Sequence, residues 1–193
     1  MTHIVYERAD GTAAATQVAP GATLTPDQIA ANLAHDGQSY KLIDQAPDLG
    51  GLPNALFDYD GRYADGLRLN QERLAGYLSG KTAAERYRRE VEGVTVNGVP
   101  FATDRQSQSK LASERERAKS GTRTDGARWK CADGVFRSFT NAEIIAAADA
   151  IGSYVASLFE AEADVAADIA AGTITTAAGV TGAAWPSSTL TTA

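Results

Sequence analysis

Histidine, cysteine and aromatic residues are scarce in this chain, and each shortage removes a class of chemistry. His3 and His35 are the two histidines among 193 residues, and no His-x-x-x-His pair, Gly-x-Ser-x-Gly turn, P-loop or glycine-rich dinucleotide turn occurs. The common routes to nucleophilic, metal or cofactor chemistry therefore lack their parts, so no catalytic residue, cofactor or metal is expected, and both histidines read as surface residues. Cys131 is the single cysteine. It excludes an internal disulfide and a cysteine-rich zinc site, favours a reducing compartment, and reads as a small half-buried strand residue. Aromatics make up 7% of the chain, so alanine and isolated aliphatics must carry the packing of a thin core. There is no run of eighteen apolar residues, and Met1 to Glu7 lack the basic start and apolar stretch of a secretory signal. The expectation is synthesis in the cytoplasm without membrane insertion.

What the chain has is charge in blocks. Residues 1–65 hold nine acids and three bases, residues 66–130 eight and fourteen, and residues 131–193 seven and one, which leaves −6, +6 and −6. Such blocks neutralise one another within a fold or between neighbouring copies, or the basic block binds an acidic partner.

Turn signals are frequent: Asp-Gly begins at 10, 36, 60, 65, 125 and 133, and Asn-Gly at 97. Val94 to Val96, Asn97-Gly98 and Val99 to Phe101 read as a hairpin in which Pro100 demands an edge strand. Arg128 to Ala132 and Val135 to Phe139 read as a second hairpin around Asp133-Gly134. Ile4 to Tyr6 and Tyr40 to Ile43 are strand candidates, and Ala55 to Tyr63 a further pair around Asp60-Gly61. The Asp58-Tyr59-Asp60-Gly61 run is similar to the opening of a calcium loop, but the later ligands are missing, so it reads as a turn.

Helix starts are written in a four-residue pattern. Thr140-Asn141-Ala142-Glu143 is a capping box with Phe139 and Ile144 as its hydrophobic staple, and Thr25-Pro26-Asp27-Gln28 repeats it with Leu24 and Ile29. Thr82 to Glu85 and Thr103 to Gln106 carry the same pattern, which predicts helices starting near 26, 83, 104 and 141, with a fifth at Asn70. The last is the longest: Ile144, Ala148, Ile151, Val155, Leu158, Glu162, Val165 and Ile169 form one stripe that Gly172 ends. The expected fold is α+β, with small antiparallel hairpins packed against several short helices and one long C-terminal amphipathic helix.

The segment 103–120 is the opposite case. Only Leu111 and two alanines are apolar enough to bury, so this helix is either solvated, with Lys110 and Glu114 paired, or covered by a partner. Arg115, Arg117 and Lys119, with Arg123, Arg128, Lys130 and Trp129 nearby, raise nucleic-acid binding. Asp104, Glu114, Glu116 and Asp125 interrupt the basic run, and no RNP, zinc or helix-turn-helix pattern frames it, so nucleic acid is not the expected partner. The Thr-, Ala- and Gly-rich tail after Gly172 is too poor in large residues to make a core by itself. It is expected to be held by another chain through Trp185 and Leu190. Candidate partner contacts are therefore Arg115, Arg117, Lys119, Trp129, Trp185 and Leu190.

Tyr87 to Val94, Val96 to Arg105, Thr140 to Glu143 with its alanine-rich helix, and Gly172 to Thr176 resemble a domain of unknown function from tailed bacteriophages and prophages. The resemblance covers roughly residues 85–176, and Tyr6, Gly11, Ala55 to Phe57 and Gly66 to Leu69 resemble the variable front portion of such proteins. It implies an N-terminal attachment region over 1–80, a C-terminal domain over 81–172 and a tail over 173–193. It also implies a virion protein of the tail tip, baseplate or fibre attachment that docks on other tail proteins or on copies of itself, without a small-molecule substrate. An assembly chaperone for a tail fibre is the alternative.

Overall fold

A computed structural model describes residues 2–18 and 24–192, without the side chain of His35, so the expectation for His35 falls outside the described set. The fold is α+β and divides into two compact units, Met1–Gly76 and Tyr77–Ala193.

In the first unit β1 (His3–Glu7) lies between β2 (Ala13–Gln17) and β3 (Tyr40–Ile43), antiparallel to both. Being central, β1 buries Ile4 and Val5 on opposite faces. His3 is half-buried in this strand rather than on the surface. Helix α1 (Pro26–His35) starts with the expected capping box. A short 3-10 turn, Asn54–Leu56, leads into β4 (Phe57–Tyr59), which pairs with β5 (Leu67–Leu69). The turn thus spans 60–66 and is wider than the sequence predicts. Asp58 accepts hydrogen bonds from Arg73 at 2.6 Å, Asn70 at 3.0 Å and Arg68 at 3.1 Å, which occupies the carboxylate that opened the calcium-like run.

Helix α2 (Gln71–Val91) is continuous, so the helix start expected near 83 does not exist. Thr82 is buried, and its hydroxyl donates to the Leu78 carbonyl at 2.9 Å, one turn back in the same helix. That local bond is the alternative to capping open to a threonine, and here it prevails.

The second unit continues with β6 (Val94–Val96) and β7 (Val99–Phe101), joined by Asn97 and Gly98 at φ 49 and 79, the left-handed pair of a tight hairpin. Pro100 lies on β7 at the sheet edge, as its missing donor requires. Helix α3 (Arg105–Lys119) is capped by Asp104, whose carboxylate accepts from Gln106 N and Ser107 N, one residue later than predicted. Thr103 is fully buried instead and accepts from Gly93 N at 3.0 Å. The ribbon β8 (Arg128–Lys130) and β9 (Phe136–Ser138) is shorter and has a wider turn than the predicted hairpin.

Helix α4 (Asn141–Ala170) has the predicted capping box and ends before Gly172, at φ 74. Its buried seam is Ile144, Ala147, Ile151, Tyr154, Leu158, Ala161 and Val165. Alternate positions are displaced by one residue from the expected stripe: Ala147 replaces Ala148, Tyr154 replaces Val155 and Ala161 replaces Glu162. Two contacts explain the displacement. Tyr154 Oη donates to the Arg89 carbonyl at 3.3 Å, and Glu162 turns to Arg86 of α2, whose Nε lies 2.8 Å away. By length and composition α4 is apolar enough to cross a bilayer, a test that core helices also pass; here its seam from Ile144 to Leu158 packs with Val94, Val96, Phe101, Leu111 and Phe139. Helix α5 (Ala177–Thr181) and β10 (Thr189–Leu190) complete the unit, with β10 parallel to β6.

Candidate functional site

The polar helix α3 is anchored by a side chain that the sequence places in a surface basic patch. Arg123 is buried, and every branch of its guanidinium is used. Nε donates to Glu114 Oε2 at 3.1 Å, Nη1 to the Phe139 carbonyl at 2.9 Å and to Asn141 Oδ1 at 3.0 Å, and Nη2 to the Ala127 carbonyl at 2.8 Å. This bonding ties the end of α3, the following loop and the start of α4 into one frame, and removes Arg123 from any outward-facing patch. Leu111 and Ala118 supply the apolar contacts. Glu114 also accepts from Arg117 at 2.6 Å, so it pairs with Arg117 and Arg123 and not with Lys110.

The frame leaves an open groove of about 550 Å³ between α3 and β8, lined by Ser109, Lys110, Ser113 and Arg117 on one side and by Arg128 and Trp129 on the other. Trp129 is half-buried, whereas Lys110 and Arg128 are exposed and have no carboxylate within ion-pairing distance among the described residues. The structure thus brings together Arg117 and Trp129 of the predicted contacts. Arg115 points elsewhere, to Asp149 of α4, and Lys119 is exposed outside the groove. Lys110 and Arg128 are the cationic groove residues absent from that set. The spacing of Lys110, Ser113 and Arg117 at i, i+3 and i+7 marks one helix face and was the available signal.

The turn of the β8–β9 ribbon exposes Val135 and Phe136, the latter 62% accessible. Asp133 fixes this tip: it accepts from Val135 N at 3.0 Å and from both Arg137 nitrogens at 2.9 and 2.7 Å. The Arg137 hydrogen bonds lower the Asp133 pKa to about 2. Cys131 is buried beneath the turn.

The tail folds back on its own unit, which corrects the expectation that another chain holds it. Val180 is 1% exposed, and Trp185 and Leu190 pack half-buried against the core. Trp185 Nε1 donates to the Val180 carbonyl at 2.9 Å, and the Arg89 guanidinium lies 5.4 Å from the indole centre. Asn97 and Thr192 close the edge reciprocally: Thr192 N donates to Asn97 Oδ1 at 3.0 Å, and Asn97 Nδ2 to Thr192 Oγ1 at 2.7 Å. Small residues form this segment because the surrounding core supplies the bulk. Composition alone gives no sign of that arrangement.

On α4, Glu160, Asp164 and Asp168 recur every four residues, are exposed, and have no cationic partner among the described residues. Among those residues no group of three or more His, Cys, Asp or Glu side chains is gathered to hold a metal.

A family described as a domain of unknown function matches residues 78–184, which enclose α3, both hairpins of the second unit, α4 and most of the tail. Neither the curated proteins nor the solved structures contain a match to the chain.

Proposed function

We propose, from the premise that this chain belongs to the DUF4376 family, that it is a non-enzymatic structural component of a bacteriophage tail. It docks on other tail proteins at the tail tip, baseplate or fibre attachment, after synthesis in the host cytoplasm. The tail assignment rests on the resemblance carried by Tyr87 to Val94, Val96 to Arg105, Thr140 to Glu143 and Gly172 to Thr176, all within the matched residues.

The observation that carries docking is the groove between α3 and β8. It combines a tryptophan, an arginine already held in place by Glu114, and two cations without carboxylate partners. Tryptophan and arginine are the residue types that dominate protein interfaces, because each brings a large contact area with a directional polar edge. The exposed Phe136 and Val135 on the same ribbon add an apolar surface for a partner to cover.

Amine-reactive cross-linking of purified particles tests the reading. Cross-links from Lys110, Lys119 or Lys130 to a second tail protein are the expected result. A chain present in the lysate and absent from the particles overturns it, and favours the assembly chaperone that binds a fibre and then leaves.

A further inference from the structure

We infer that the groove between α3 and β8 receives the acidic stripe of α4 from a second copy of this chain, so that copies join head to tail. Charge and spacing match the two surfaces. Lys110 and Arg117 are separated by seven residues along α3, about 10 Å, and Arg128 faces them across the groove. Glu160, Asp164 and Asp168 span eight residues of α4, about 12 Å, on one exposed line. Three carboxylates thus face the unpaired Lys110 and Arg128 and the Glu114-bound Arg117 over matching lengths.

The stripe is costly to its own helix. Like charges four apart repel, and acids near a helix C-terminus oppose the macrodipole. Among the described residues no cation offsets this cost: the neighbouring Glu162 takes Arg86, while Glu160, Asp164 and Asp168 take none. Nor does the chain's own groove reach them, because α3 meets α4 through Arg115 at Asp149, in the first half of that helix. A second copy supplies both missing halves. No RNP, zinc or helix-turn-helix pattern frames these basic residues, so the groove is assigned to a carboxylate helix over a nucleic acid.

A contact of this type is heterologous, so it closes into a ring or extends as an open chain. It does not depend on the tail assignment. Self-association of the isolated protein and presence in a particle are separate measurements, and either can fail alone.

Sedimentation of the full chain tests the inference, with the wild type compared to E160K/D164K/D168K and to K110E/R128E. Arg117 is left intact because it shares Glu114 with the Arg123 frame. The wild type is expected to associate with rising concentration in low salt and to dissociate near 0.5 M salt, about the range where exposed pairs are screened. Each variant alone is expected to associate at least about tenfold more weakly. An equimolar mixture of the two variants recovers association, because each then offers the charge that the other lacks. If a reversed variant fails to fold, E160Q/D164Q/D168Q or K110Q/R128Q replaces it, with the same weakening expected. A wild type monomeric up to about 1 mM in low salt overturns the inference. So does a variant that associates like the wild type, or a mixture that stays monomeric. Oligonucleotide binding lost in K110E/R128E, without self-association of the wild type, also overturns it and assigns the groove to nucleic acid.

Discussion

Glu114 accepts a hydrogen bond from Nε of buried Arg123 at 3.1 Å, and this bond joins the buried Leu111 and Ala118 in holding a helix with almost no apolar face to its domain. Removing the guanidinium takes one donor from each of the Phe139 and Ala127 carbonyls and from the partly buried Glu114 carboxylate. Arg123→Ala is expected to cost about 3 kcal/mol, and Glu114→Gln about 1 kcal/mol. Both tryptophans, Trp129 and Trp185, lie in the second unit, so denaturant titration followed by tryptophan fluorescence reports this unit in the full chain. An unchanged midpoint for Arg123→Ala would contradict the anchoring role.

The tail is part of the core that it encloses. Deleting residues 177–193 removes Val180, Trp185 and the strand paired with β6, and is expected to cost at least about 3 kcal/mol. Trp185→Ala alone costs about 1–2 kcal/mol, since the indole is half-buried. The remaining fluorescence of Trp129 reads both variants. Full stability after the deletion would return the tail to the role of a free docking arm.

Gly93 tests the backbone directly. Its φ is 97, and a Cβ there would lie 3.1 Å from the Phe101 carbonyl oxygen. Gly93→Ala is expected to destabilise the β6–β7 hairpin by about 1–3 kcal/mol, measured by the same titration. A neutral result would mean that the hairpin tolerates rearrangement at its base.

Acid reports on Glu85. Hydrogen bonds from Arg88 bring its pKa down to about 2 from the usual 4.5, with desolvation opposing and Arg89 assisting. A carboxylate depressed in the folded state contributes stability that is complete above its unfolded pKa and is lost as pH falls through the folded one. The loss therefore runs from roughly pH 4.5 to pH 2. Arg88 is half exposed, so screening reduces the effect to about 1 kcal/mol. The stability difference between wild type and Glu85→Gln should shrink by most of that amount between pH 7 and pH 2. A difference independent of pH would contradict the pairing.

Much of this architecture was legible because local signals and tertiary packing agree. The capping boxes at Thr25 and Thr140, the Asn97-Gly98 hairpin with Pro100 on its edge, and the stop at Gly172 all lie where the residues place them. Readings failed where a side chain had two local options or a distant partner. Thr82 has the sequence of a cap and bonds one turn back inside a helix. Glu162 fits the apolar period and turns to Arg86, while Tyr154 takes the buried place by reaching Arg89. Nothing in Ala13–Gln17 announces a strand, because its alanines favour a helix and only pairing with β1 overrides them. Arg123 has the sequence context of a surface base. Its burial depends on carbonyls that converge only after folding.

Quantitative mass spectrometry of gradient-purified particles tests whether the chain holds a structural place in a phage tail. The intact chain is expected at a fixed ratio to other tail proteins, retained through high-salt washing. Its absence from infectious particles, while it accumulates in infected cells, would rule out that structural place.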